Sequence, residues 1–151
     1  TLNHAIKAAK LIIEYLPKLA NDLTNLNYRS KLLEATMFAG LAFSNTQTAL
    51  AHAMSYYITA HKGLPHGLAC SFTLPKLIDE VIGKHSFIDE ALTEIFGELS
   101  STKLSNLLAE LNIATEFADY GLSEAEVKEL FASLGNTQRA GNSLVAINLS
   151  N

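Results

Sequence analysis

The run Leu50-Ala51-His52-Ala53-Met54-Ser55-Tyr56-Tyr57-Ile58-Thr59-Ala60-His61-Lys62 is the strongest constraint on what this chain can become. Wound as a helix, it carries apolar or small residues on most sides. Such a helix has little to offer water and belongs in the middle of a bundle. Gly63 is placed to stop it, and Pro65 forbids simple continuation. A second helical pattern resumes at His66. Three of the five histidines, His52, His61 and His66, lie in this helix–break–helix unit.

A central helix needs others around it. The 151 residues suffice for one domain with a core, and 48% hydrophobic content with only three prolines and eight glycines suits a mostly helical body. Leu2 to about Leu19 reads as a helix, with Ala5, Ala8, Ala9, Ile12, Ile13 and Leu16 at helical spacing. Pro17 is expected to end or bend it. Asn21-Asp22 and Asn25 to Asn27 form a polar connection rich in capping residues. A helix from about Tyr28 to Phe43 follows, and Ser44-Asn45-Thr46 is the expected cap of the His52 helix. After the break come His66 to Phe72 and a helix from about Thr73 to Ile82. Phe87 to Phe96 and Lys103 to Leu111 are amphipathic, the second capped by Ser100-Ser101-Thr102. Asp119 to Leu122 is a turn. Ser123 and Glu126 form a capping box that starts a helix to about Leu134. Gly135-Asn136 ends it, and a last short helix is expected over Thr137 to Val145. No alternating strand pattern, repeat or low-complexity tract is present, so the expectation is a single all-α domain over residues 1–151, a helical bundle.

Several function classes fall away. A net charge of −4 offers no electrostatic footprint for nucleic acid. No apolar run approaches the ~18 residues of a membrane helix. The one cysteine, Cys70, excludes an internal disulfide and suits a reducing, cytoplasmic setting. Thr1 stands where an initiator Met would, so a piece of a longer or processed protein is expected.

His52 and His66 form an H-x13-H pair. The spacing alone is weak, but an imidazole on an apolar helix is costly unless something satisfies it. His66 follows Pro65 at the start of the next element, where the helix dipole favours neutral imidazole, the metal-binding form. A corner between helices can turn both rings onto one cavity. The plainer alternative is two core histidines bonded to backbone carbonyls.

In order and spacing, Ala39-Gly40-Leu41-Ala42-Phe43-Ser44-Asn45, Ala51-His52-Ala53, Pro65-His66-Gly67-Leu68-Ala69 and Leu74-Pro75 resemble the helical C-terminal domain of iron-dependent alcohol dehydrogenases. Within that family the chain is most similar to a subgroup associated with phosphonate metabolism. The resemblance implies the fold of the dehydroquinate synthase-like and iron alcohol dehydrogenase proteins. It also implies the C-terminal part of a longer two-domain enzyme. Such an enzyme would interconvert an alcohol and an aldehyde by hydride transfer to or from NAD(P), with Fe2+ or Zn2+ as Lewis acid. Four protein ligands are implied: an Asp, a His four residues later, and here His52 and His66. The first two, and the domain that binds NAD(P), are absent from these residues; no Gly-rich turn after a strand is present. No cofactor-binding or acid–base catalytic residue is assigned, and the chain alone is expected to be inactive.

Thr1-Leu2-Asn3-His4-Ala5 resembles the family's first metal motif, but the family places that motif farther ahead than the 48 residues separating His4 from His52. An exposed first-turn histidine is the better account of His4. Where the family often has a second histidine one turn after the first helix ligand, this chain has Tyr56. A phenol can bond substrate there but is a poorer proton relay near neutral pH. Tyr56 and His61 are the candidate substrate contacts, a surface histidine being the alternative for His61. His85 lies in a turn and is expected to be solvated. Cys70 has no acid–base partner at a telling spacing and reads as a small buried residue. Ser44 to Thr48 read as capping residues, and Glu124, Glu126 and Glu129 as a solvated face. Arg139 would meet an anionic substrate if the chain folded back.

The expected partner is a small alcohol or aldehyde, with neither nucleic acid nor membrane, and a homodimer stays open. Two alternatives remain: a non-catalytic helical interaction domain with structural histidines, and a zinc-dependent relative resembling glycerol dehydrogenase. Residue types do not separate iron from zinc, since imidazole and carboxylate suit both.

Overall fold

A computed structural model describes residues 1–44, 46–134 and 143–144. Among them the chain is helical with no strand, in eight α-helices. These are α1 (Leu2–Asn21), α2 (Leu26–Phe43), α3 (Leu50–Lys62), α4 (His66–Ser71), α5 (Leu74–Val81), α6 (Ser86–Phe96), α7 (Ser100–Glu110) and α8 (Glu124–Leu134). A 3-10 turn, Phe117–Tyr120, precedes α8. No helix among the described residues is long and apolar enough to cross a membrane.

The core forms where the sequence is apolar on several sides of one helix. Leu50, Ala53, Met54 and Ile58 of α3 pack with Ala69 and Phe72 at α4, Leu122, and Leu130 and Leu134 of α8. Met54, Ile58, Phe72 and Leu130 are fully buried, and each contributes about 1.5–3 kcal/mol of burial. Phe72 anchors the corner, its ring 5.3 Å from Phe117 and 4.7 Å from Tyr120. The hairpin α1–α2 stands to one side, with α1 resting on α6 and α7.

The capping box before α8 is formed as expected: the Ser123 amide donates to Glu126 at 2.8 Å and the Glu126 amide to the Ser123 hydroxyl. Glu126 also takes Lys62 at 2.6 Å, tying the end of α3 to the start of α8. That lysine, and then Ser123, hold the Glu126 carboxyl down at about 2.

Three local expectations are corrected. Pro17 does not end α1, which runs on to Asn21; its ring is buried, and the Asn21 side-chain amide donates to the Pro17 carbonyl at 3.0 Å. Proline at this point forfeits one helical donor, but burial of the ring keeps the last turn in place. Ser44 and Thr46 do not cap α3. The Ser44 hydroxyl donates backward to the Leu41 carbonyl, and the Thr46 amide to the Phe43 carbonyl, so both close α2. Helix α7 starts at Ser100 rather than Lys103, with Leu99 at a φ of 59° before it. Of the expected helix over Thr137 to Val145 only Ser143 and Leu144 are described, and neither is helical; the Gly135-Asn136 stop and Arg139 lie outside the described residues.

Candidate metal centre

The corner between α3 and α4 is a consequence of three residues. Gly63 leaves α3 with a φ of +68°. A Cβ there would meet nothing within 4 Å, so the left-handed backbone, not space, requires glycine. Leu64 packs against the core and fixes the direction of the turn. Pro65 then opens α4, its carbonyl accepting from the Ala69 amide at 2.9 Å. The result sets the first residue of α4 beside the first turn of α3.

There His52 and His66 meet. Their ring centroids are 4.6 Å apart with planes at 83°. Tyr56, one turn along α3, lies 5.5 Å from the His52 ring and 5.6 Å from the His66 ring. His66 and Tyr56 are exposed and His52 is half-buried, so the pair is open on one side. His52 and Cys70 also stand at the edge of a groove of about 470 Å³, lined by Leu50, Leu74, Leu77, Ile78 and Val81 among others.

Ser55 bears on which nitrogen of His66 is available. It is fully buried. Its hydroxyl donates to the His52 carbonyl at 2.7 Å. That uses its one hydrogen, so toward His66 Nδ1, 3.2 Å away, the oxygen can only accept. That arrangement favours the proton on Nδ1 and the lone pair on Nε2. A metal-binding imidazole needs that state, with its second nitrogen held by a neighbour.

Cys70 is the third member. It follows His66 by one helical turn, and its sulfur lies 3.6 Å from His52 Nδ1 and 3.7 Å from His66 Nε2. Ligand atoms of His52, His66 and Cys70 all fall within 4.8 Å of one another. Two imidazoles and a thiol this close are a donor set suited to a first-row divalent ion.

Neither Ser55 nor Cys70 is read from the sequence as a neighbour of the histidine pair. Ser55 had a signal, a small hydroxyl three residues after His52 on an otherwise apolar helix. Cys70 had a clearer one, the i, i+4 relation to His66 that puts both on one face of α4.

The remaining histidines are elsewhere. His61 is nine residues from His52, about two and a half turns, and so projects from the opposite side of α3. Its ring stacks on Tyr57 at 4.0 Å and its Nδ1 lies 2.9 Å from the Tyr57 carbonyl. His4 stacks on Phe38 of α2 at 5.6 Å. His85 precedes α6, 5.9 Å from the Phe87 ring.

Comparison with known proteins identifies the family and the fold. The family described as Fe-containing alcohol dehydrogenase family, C-terminal, matches residues 2–144. A long-chain primary alcohol dehydrogenase of Thermoanaerobacter ethanolicus is 26% identical over 83% of this chain and 34% of its own length. A 1,3-propanediol dehydrogenase of Citrobacter freundii is 28% identical over 81% of this chain and 35% of its own. Among solved structures, a sulfoacetaldehyde reductase of Bifidobacterium kashiwanohense in complex with NAD+ superposes with a TM-score of 0.86 and 29% identity. That match covers 97% of this chain and 40% of the other. The chain thus spans about a third of the length of the curated relatives it matches.

Proposed function

Because this chain belongs to the Fe-containing alcohol dehydrogenase family, as its C-terminal domain, we propose that it is the metal-holding half of an NAD(P)-linked alcohol dehydrogenase. The full-length protein interconverts a small alcohol and its aldehyde, with hydride passing between the substrate carbon and the nicotinamide. Residues 1–151 supply the helical domain. The dinucleotide is bound mainly by a second domain, and the remaining metal ligands lie outside these residues.

The observation that carries this reading is the meeting of His52 and His66 across the proline corner, with the Ser55 oxygen 3.2 Å from His66 Nδ1. A bound Fe2+ or Zn2+ supplies Lewis acidity toward the substrate oxygen. His66 would hold it through Nε2, and His52 from the facing helix. Ser55 keeps the His66 ring in register and its proton on Nδ1. Tyr56, exposed beside both rings, is placed to bond a substrate hydroxyl or carbonyl. The groove beside His52 sets apolar walls, Leu74, Leu77, Ile78 and Val81, next to the pair. His61, its ring stacked on Tyr57 on the opposite side of α3, is given no role at this pair.

The test is metal content and NAD-linked alcohol oxidation of the full-length protein and of its His52→Ala and His66→Ala variants. Both variants are expected to lose metal and turnover together while keeping their helical circular dichroism. Full metal content in both would remove the reading.

A further inference from the structure

We propose that Cys70 is a third donor to the ion held by His52 and His66, so that the corner offers two nitrogens and one sulfur and favours a thiophilic divalent ion of the zinc class. The inference rests on the metal reading above and deepens it.

Metal–sulfur bonds of about 2.3 Å and metal–nitrogen bonds of about 2.0–2.1 Å separate sulfur from nitrogen by about 3.1 Å at a right angle and about 3.6 Å at a tetrahedral one. The Cys70 sulfur lies 3.6 Å from one imidazole nitrogen and 3.7 Å from the other. Both distances are close to the upper of these lengths, and the three ligand atoms all lie within 4.8 Å of one another. The second observation is independent of the first. Ser55 donates to the His52 carbonyl and lies beside His66 Nδ1, which favours the lone pair on the nitrogen near the sulfur.

Helix α4 holds the two donors in register. His66 and Cys70 are one turn apart, and between and beyond them Ala69 and Phe72 are fully buried. Cys70 itself is half-buried, close enough to the surface for an ion to reach. On binding, the thiol gives its proton to water and the thiolate takes its place on the ion, so one S–H bond is exchanged for one metal–sulfur bond. No oxidant or reductant is needed. Thiolate is a soft ligand and imidazole suits several metals, so adding sulfur tilts the set away from ions that prefer oxygen alone.

The experiment uses full-length protein stripped of metal and loaded with Co2+, read by absorption. Wild type should show a sulfur-to-cobalt charge-transfer band in the near ultraviolet alongside visible ligand-field bands. Cys70→Ser and Cys70→Ala should lose the first and keep the second, and His52→Ala and His66→Ala should lose both. A parallel measurement follows alkylation of Cys70 by iodoacetamide at the peptide level in folded wild type, which bound Zn2+ should slow several-fold. Cobalt bound through both histidines with no Cys70-dependent band, and alkylation unchanged by zinc, would overturn the proposal and leave the histidine site standing; the thiol would then be a hydrogen-bond neighbour of His52. Cobalt absorption indifferent to His52 and His66 would instead overturn the underlying metal reading, and this inference with it.

Discussion

Helices α2 and α3 are similarly apolar in sequence and meet opposite fates. In α3, Leu50, Ala53, Met54, Ser55 and Ile58 are buried between α4 and α8. In α2, only Ala35 and Ala42 are buried, and Leu26, Leu33, Met37 and Phe43 stand more than half exposed. The hairpin has α1 against one side, and its other apolar side faces outward. Apolarity alone therefore does not say which helix is central. Helix α3 is central because the Gly63–Pro65 corner folds α4 back on it and because α8 reaches it through Lys62 and Glu126. His52 sits on the helix whose position is determined on several sides, and His66 and Cys70 on the short helix folded against it, which is where a precise geometry can be held.

This contrast can be broken most directly at the core. Met54→Ala and Ile58→Ala should each cost about 2–5 kcal/mol in urea unfolding, since each empties a fully closed space. A cost near zero would mean that α3 is not the centre of the bundle. Next in size is Ser55→Ala, which frees the His66 tautomer without removing a ligand. Metal affinity should fall about 10–100-fold by titration, with the unfolding midpoint little changed. An unchanged affinity would show that some other group orients His66.

The α3–α8 tie gives a smaller, pH-dependent effect. Glu126 is held at about 2, below its ordinary carboxylate value, chiefly by Lys62. Its stabilisation is therefore complete above the unfolded carboxylate value of about 4.3 and drains away as pH falls toward 2. Lys62→Ala should raise the Glu126 carboxyl in an NMR titration and flatten the acid side of the stability profile. The smallest effect is expected on α2, where Leu33→Ala and Met37→Ala should shift stability by no more than about 0.5 kcal/mol in this chain. Values as large as those at Met54 would erase the distinction between the two helices.

Much of this was legible in the residues. The all-helical fold, the break at Gly63 and the Ser123–Glu126 box follow from periodicity and cap chemistry, which are local. The meeting of His52 and His66 was readable only with the motif order, because spacing cannot say which way a corner turns. The errors have local causes as well. Ser44 and Thr46 are good capping residues, but their hydroxyls can equally bond back to the preceding turn, and here they close α2. Pro17 breaks helices in the abstract, yet a buried ring one turn from the end costs little. Cys70 reads from the sequence as a small buried residue, and only the fold brings its sulfur to the histidine pair.

Helix α4 is six residues long, far below the ~12–15 at which a helix is even marginal in water by itself. His66 and Cys70 therefore keep their places only while Phe72 stays seated. Melting and loading become linked quantities: a tightly held ion should raise the melting temperature in proportion to the logarithm of its concentration, and a defect beneath Phe72 should be felt first as a looser grip on the ion.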